Sequence, residues 1–391
     1  MNAHEARRLL DDVEAFCQEI RPIEELCYLE HRPNDQVVPL ARKYDILGMI
    51  VPKEYGGRGA DTVTYARALA RINREGTGVR TFFSGHTSIG EYPILTWGSE
   101  ALKRRYLPAA CRGDVILAFG LTEPDAGSNP LEMSSTYERR GDKFVLNGVK
   151  YLISNGGIAD AVICFAYNTG SPRRVSAFVV DTHAAGFVKE DLLAKMGMPT
   201  ANTAMFEMNN VEVPLDHLLG EEGNGFRIAM GTLVSGRISV AAGCLGVIED
   251  CLAEVVAYAK ERQQHGKAIG KHQLVQEHIA MIEQHRAAAE AMVLRAAAAK
   301  DASATEPGNA ELARQADIAA AQAKLFASNA AWDAADRAVQ VFGGRGWSTL
   351  YRPGRHMQDV RVCRIYEGTD EILKLKIAAH VLGGKEWEAF K

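Results

Sequence analysis

The hydrophobic pattern of these 391 residues predicts a mainly α-helical chain with a β domain at its centre. Three observations carry that prediction. Apolar residues recur at three- and four-residue spacing through 1–115. The period shortens to strand-like runs over 116–222. Long alanine-rich helical stretches then fill 223–391. The length suits two or three structural domains.

The first region is helical because Leu9-Leu10, Val13, Phe16 and Ile20 fall on one face, as do Ala66, Leu69, Ala70 and Ile72. Between them, Pro52 to Gly59 reads as a turn, since no lysine-serine/threonine phosphate signature follows its glycines. In the middle region, Asp142 and Asn147-Gly148 are turn signals around Phe144-Val145-Leu146. Residues 161–166 and 175–180 read as buried strands, and Met205 to Val213 as a partly alternating one that Pro214 ends. A compact antiparallel barrel or sandwich is expected. In the last region, Phe226 to Gln264 carries helical patterning and Leu274 to Ala302 is rich in alanine. Residues 305–309 then break the pattern before a helix reaching about Val341. Such helices bury their sides against each other, so a four-helix bundle is expected, and their small side chains suit an oligomer.

The net charge of -4 gives no electrostatic case for a nucleic-acid or anionic-membrane partner. The cysteines (17, 27, 111, 164, 244, 251, 363) form no CxxC pair and read as free thiols in a reducing compartment. Cys244 and Cys251 read as core thiols. No metal is expected: His278 and His285 sit seven apart without an HExxH frame. No leader precedes the first helix and no apolar run suits a membrane span, so a cytoplasmic location is expected.

Glu367, in Ile365-Tyr366-Glu367-Gly368-Thr369-Asp370-Glu371-Ile372, is the most informative residue. A carboxylate between an aromatic and a glycine meets little obstruction. It becomes a general base if burial lifts its pKa from about 4.3. The same octapeptide also reads as a helix N-terminus, with Thr369 as cap and Asp370 and Glu371 favouring the dipole. Leu121 to Asn129 follows an apolar strand (115–119) and offers the Thr122 and Ser128 hydroxyls, with Gly127 for close ligand approach; it also reads as a plain capped loop. Lys150 to Gly156 reads as a second polar loop. Arg262 to Gly266 and Gln340 to Gly346 each read as the end of a long helix, the latter with exposed backbone and no dinucleotide fingerprint.

Together, and in this order, these segments resemble the flavin-dependent acyl-CoA dehydrogenases along nearly the whole chain. The resemblance implies a helical N-terminal domain (1–115), a middle β domain (116–222) and a C-terminal four-helix bundle (223–391). It implies FAD as cofactor. Phe119, Leu121, Thr122, Gly127 and Ser128 would line the flavin, with Ser128 also near the thioester, and Ser154 would touch its N5 edge. Arg262, His265, Gln273, Gln340, Gly343 and Gly344 would reach the FAD of a neighbouring subunit. Thr369 and Glu371 would hold the adenosine diphosphate portion. Arg237, Tyr366 and Gly368 would shape the thioester pocket. Glu367 matches the family's base, taking a proton from Cα while hydride leaves Cβ for flavin N5. The alternative position for that base is Gly236 here, which cannot serve.

The resemblance further implies an acyl-CoA substrate, an electron-transfer flavoprotein as acceptor, and a homotetramer. Arg80, in Gly78-Val79-Arg80-Thr81, matches the arginine that glutaryl-CoA dehydrogenases set against a distal carboxylate; structurally it reads as a bridge between helices. The chain departs from the pattern at Leu152, where an aromatic is usual, at His265 in place of phenylalanine, at Pro199 and at Gln358-Asp359. These departures motivate one rival on the same fold, an acyl-ACP dehydrogenase; a second rival is an oxygen-using flavoenzyme. A third rival, a non-catalytic thioester-binding protein, is opposed by the intact Glu367.

Overall fold

The computed structural model describes residues 1–387 and 389. Helices α1 (Ala3–Leu29), α2 (Val37–Lys43), α3 (Thr62–Asn73) and α4 (Thr77–Phe83) open the chain. A π-helical turn, Ser84–Glu91, then leads into α5 (Tyr92–Trp97) and α6 (Glu100–Arg112). A π segment of this length is rare and tends to mark functional ground. Asn2 starts α1 with a reciprocal capping box to Glu5, and Asp61 caps α3 through the Thr64 amide.

The middle of the chain is one eight-stranded sheet: β1 (Leu117–Gly120), β2 (Thr136–Arg140), β3 (Lys143–Ser154), β4 (Ala161–Asn168), β5 (Val175–Asp181), β6 (Phe187–Asp191), β7 (Thr203–Pro214) and β8 (Leu218–Leu219). The path runs β6-β7-β3-β2-β4-β5-β8. It is largely antiparallel, but β1 and β2 both run parallel to β4 and share its edge. Strand β4 is buried along six successive residues because each face of the sheet is covered. One face, with Phe119, Ile163, Phe165 and Val179, packs against the start of the next helix and against α5 and α6. The other, with Phe144, Leu146, Phe178 and Phe206, forms its own core.

Lys150 to Ser154, expected as loop, instead belongs to β3. A register shift between Lys150 and Ile153 disguises it: the bulge turns Leu152 outward in a left-handed conformation (φ +59°).

Three long helices follow: α7 (Gly225–Glu261), α8 (Gln273–Thr305) and α9 (Ala310–Phe342). The expected helix to Gln264 stops at Glu261. Gln263-Gln264 pairs with Lys267-Ala268 in a hairpin whose turn, His265-Gly266, is left-handed at both residues (φ +49° and +74°). Helices α10 (Arg352–Asp359) and α11 (Asp370–Leu382) complete the chain and pack on α9. Along α9, Ala316, Ala320, Ala323, Ala327, Ala331, Ala334 and Ala338 are buried, a helical stripe that lets α7 and α8 approach closely. The first helices and the bundle share one core, in which Leu9, Phe16 and Leu69 pack with Val240, Ile248, Ala296 and Ala331.

Candidate active site

The site is built where α4, α7, α9 and the entry to α11 meet. Glu367 takes φ +56° and Gly368 φ +98°, two consecutive left-handed residues before Thr369 caps α11 through the Ile372 amide at 3.3 Å. Glutamate pays for that conformation, so the surroundings must impose it. Arg237 Nε on α7 donates to the Glu367 carbonyl at 3.1 Å, and Lys324 Nζ on α9 donates to the Gly368 carbonyl at 2.7 Å. Arg237 also bonds Asp317 at 3.0 Å. Asp370, held by Arg364 at 2.8 Å and Asn329 at 3.0 Å, pins the first turn of α11.

The carboxyl group of Glu367 lies against α7 at Gly236. A Cβ at Gly236 would fall 2.4 Å from each carboxylate oxygen, so that glycine makes the room. Oε2 is buried without a hydrogen-bond partner. Burial raises the Glu367 carboxyl to about 7, against the pull of Arg237, Lys324 and Arg80.

Tyr366 precedes Glu367 in the same loop. Its hydroxyl accepts from Arg80 Nη2 at 2.5 Å and lies 3.2 Å from Cys363 Sγ. Arg80 is 1% exposed, gives Nε to Asn73 Oδ1 at 3.1 Å, and has no carboxylate within salt-bridge reach among the described residues. Cys244 is buried in the core, as expected, and faces Cys363 there, with Arg80 and Lys324 near both thiols.

A short chain of contacts joins this site to the strand loops. Ser154 ends β3, and Asn155 Nδ2 bonds the Phe82 carbonyl at 3.0 Å. Gly85 of the π turn sits so close that a Cβ would lie 2.8 Å from Asn155 Nδ2. The neighbouring Ser84 hydroxyl bonds Ser239 on α7 at 2.7 Å, one turn beyond Gly236. Phe119 and Leu121 are buried, Thr122 is half-buried, and Gly127 and Ser128 stand exposed. A Cβ on Gly127 would meet nothing within 4 Å, and Leu152 beside this loop is 56% exposed. An open polar loop beside an apolar side chain standing free fits a flat, partly apolar cofactor.

Sequence reasoning missed what anchors this loop. Lys150 is wholly buried and donates to Glu123 Oε1 at 2.7 Å. Glu123 also accepts from the Ser134 amide and hydroxyl (2.5 and 2.8 Å) and from the Ser135 amide at 3.1 Å. Burial opposes its charge, but Lys150 and these donors win and hold the carboxyl at about 2. Lys324 was missed as well. The signal was there: with Ala320, Ala327 and Ala331 around it, the lysine occupies a stripe position.

The remaining expected cofactor residues are not brought to this place. Arg262, His265, Gln273, Gln340, Gly343 and Gly344 are all exposed at the other end of the bundle. At about 1.5 Å per residue, α9 carries the chain roughly 24 Å from Lys324 to Gln340, and α7 roughly 39 Å from Gly236 to Arg262. Glu371 is exposed on the first turn of α11. The residues just before Pro199 meet another of the departures: the Met198 amide donates to Asp359 at 2.6 Å, and Gly197 lies against the Gln358 carbonyl.

Comparison with known proteins agrees with this architecture along the chain. The N-terminal, middle and C-terminal domain models of acyl-CoA dehydrogenase match residues 3–114, 118–211 and 223–382. An acyl-CoA dehydrogenase of Bacillus subtilis is 38% identical over 369 residues, covering 94% of this chain and 95% of the relative. A glutaryl-CoA dehydrogenase of Desulfococcus multivorans is 36% identical over 357 residues, 90% of each chain. The structure of an acyl-CoA dehydrogenase complexed with FAD from Bacillus anthracis matches with a TM-score of 0.91 at 30% identity, covering 98% of this chain and 67% of that one. Domain matches in order, identity near 38% and a shared fold over almost the full length place this chain in the acyl-CoA dehydrogenase family.

Proposed function

We propose that Glu367 is the base of an FAD-dependent α,β-dehydrogenation of an acyl-CoA thioester. The observation that carries this reading is the carboxylate itself. It sits in the space left by Gly236, has a bare oxygen, and is lifted to about 7. A base of that strength is half ionised near neutrality, and it can take a carbon-bound proton where the thioester oxygen is stabilised in the same step. The chemistry FAD supplies when bound is acceptance of the Cβ hydride. The left-handed Glu367-Gly368 backbone, held from the carbonyl side by Arg237 and Lys324, fixes where the carboxylate stands. The Glu367 amide is the candidate donor to the thioester oxygen.

The acyl chain is a short one carrying a distal carboxylate, and Arg80 supports this. A buried guanidinium without a carboxylate partner is costly, and a substrate carboxylate relieves it. The specific observation favouring a second reading is the Arg80–Tyr366–Cys363 contact. With Cys244, Arg80, Tyr366 and Lys324 beside it, the Cys363 thiol is pulled down against burial and can balance the charge internally. In that case neutral acyl chains are the substrates.

Exposure of the second residue set, from Arg262 to Gly344, supports an oligomer in which it serves a neighbour's cofactor, a homotetramer by resemblance. The electron acceptor on this reading is an electron-transfer flavoprotein.

Anaerobic bleaching of the yellow enzyme by a thioester panel tests the function. Butyryl-CoA, glutaryl-CoA and their carrier-protein counterparts make up the panel. Wild type bleaches with a CoA thioester; Glu367→Gln keeps its flavin colour and loses bleaching by about 10²–10⁴-fold. Retained turnover in that variant sinks the base assignment. Preference for glutaryl-CoA that vanishes in Arg80→Ala supports the carboxylate reading, and equal loss on all chains makes Arg80 structural.

A further inference from the structure

Among the described residues the fold buries two lysines completely, and it uses them differently. Lys150 meets a carboxylate, Glu123, at 2.7 Å. Lys324 meets a backbone carbonyl, that of Gly368, at 2.7 Å, and has no carboxylate within 4 Å among the described residues. Taking an ammonium out of water for a neutral acceptor is a poor exchange unless its charge works at longer range. The acidic groups whose charge it feels are Cys363, Cys244, Asp370 and Glu367.

We propose that Lys324 is a positioning residue for the base: its ammonium clamps the Gly368 carbonyl, holds Glu367 and Gly368 in left-handed backbone, and closes a cage of three cations around the carboxylate. The inference rests on Glu367 being the base. Three elements supply the cage: Arg80 from α4, Arg237 from α7 and Lys324 from α9. Arg237 and Lys324 are tied to successive carbonyls, of Glu367 and Gly368, so the peptide between them is gripped from two helices. Arg80 is tied to Tyr366, the residue before. None of the three bonds a carboxylate oxygen of Glu367 among the described residues, so they bias its charge without occupying its lone pairs. The other charged and titratable groups at this spot include Tyr366 and Cys363 on the loop and the turn before it, Cys244 on α7, Asp370 on α11 with its partner Arg364, and Asp317, which Arg237 and Lys376 both bond.

The test uses the FAD-loaded enzyme and whichever of butyryl-CoA and glutaryl-CoA bleaches the wild type faster. The readout is kcat/KM against pH, whose acid limb reports the base in the free enzyme. Lys324→Met removes clamp and charge together. At pH 7 its kcat/KM falls at least about tenfold, and its acid limb moves upward by about one pH unit, with flavin content retained. Lys324→Gln keeps a donor and loses the charge, so its limb moves by a similar amount while its rate on the high-pH plateau falls less. It carries the test if the methionine variant fails to fold. A limb at the wild-type position in Lys324→Gln, or a lower plateau with no limb movement in both variants, overturns the proposal and leaves Lys324 as packing. Glu367→Gln is the control. If that variant turns over, the base reading has failed; if it is dead while the Lys324 limbs stay put, only this inference has.

Discussion

Glu123 and Glu367 are both enclosed carboxylates, each on a loop where strands or helices hand the chain on, yet they titrate in opposite directions. Glu123 is held at about 2, whereas Glu367 is lifted to about 7. Burial pushes both upward, so burial does not separate them. What separates them is where the nearby donors point. At Glu123 every donor ends on a carboxylate oxygen: Lys150 Nζ, two amides and a hydroxyl. At Glu367 the two closest cations end on backbone carbonyls, and Oε2 is left bare. The first arrangement locks a loop; the second fixes a loop and leaves the side chain free to take a proton. Glu123 is thereby a structural carboxylate, while Glu367 keeps an oxygen without a partner.

The strongest way to break that contrast is to strip Glu123 of its cation. Lys150→Met leaves a buried, unpaired carboxylate and should cost about 3–5 kcal/mol at pH 7, read as a shift in the denaturation midpoint. Adding Glu123→Gln to it should recover most of the loss, because the orphaned charge is gone. A double variant as unstable as the single one would mean that Lys150 supports the sheet by packing alone. The sign with pH follows from the lowered value. The pair's stabilisation is complete above 4.5 and drains away as pH falls from 4.5 towards 2.

Glu367 should show the reverse sign. Its folded-state value is raised, so the folded protein binds the proton more tightly than the unfolded chain does. Its penalty is absent below 4.5, grows between 4.5 and about 7, and is complete above that. At about 1.4 kcal/mol for each pKa unit, Glu367→Gln should stabilise the substrate-free protein by about 3 kcal/mol at pH 8 and by almost nothing at pH 4. Chemical denaturation of both proteins at the two pH values checks this. Curves for the two that stay parallel from pH 4 to pH 8 would show that the carboxyl is solvated and not poised.

How far the sequence discloses all this differs between the two loops. The helices were legible because alanine stripes such as Ala316–Ala338 repeat with helical period, and β4 and β5 because burial on both faces makes them continuous apolar runs. Glu367 was legible as a candidate because several motifs in order resemble one family, and its local octapeptide alone reads equally as a helix start; Gly236 was legible as a position that cannot hold a carboxylate. Lys150 was not: Lys-Tyr-Leu-Ile-Ser-Asn-Gly looks polar and loop-like, and a bulge at Leu152 breaks the two-residue alternation that would have marked it as strand. Its partner, Glu123, is 27 residues away, so only the folded sheet brings them together. The parallel pairing of β1 and β2 with β4 is hidden for the same reason, since pairing direction is set by long-range contacts. Lys324 lay between these cases: its stripe position was readable, but its acceptor, a glycine carbonyl 44 residues on, was not.

Thr369 offers the finest adjustment of the contrast, because it holds the Glu367 loop without touching the carboxylate. Its hydroxyl accepts the Ile372 amide, so Thr369→Ala should cost about 1 kcal/mol of stability in the flavin-free protein, recovered in Thr369→Ser. The acid limb of kcat/KM should stay where it is in wild type, since the cap lies outside the set of cations that bias Glu367. A limb that moves would show that the loop's geometry, and not only its charges, sets the strength of the base. The same pair of variants weighs the role that resemblance gives this residue: if the hydroxyl also holds the adenosine diphosphate portion, FAD rebinding to the apoprotein weakens in the alanine variant and returns in the serine one. A weakening that serine fails to repair would point to the lost methyl group and away from the hydroxyl.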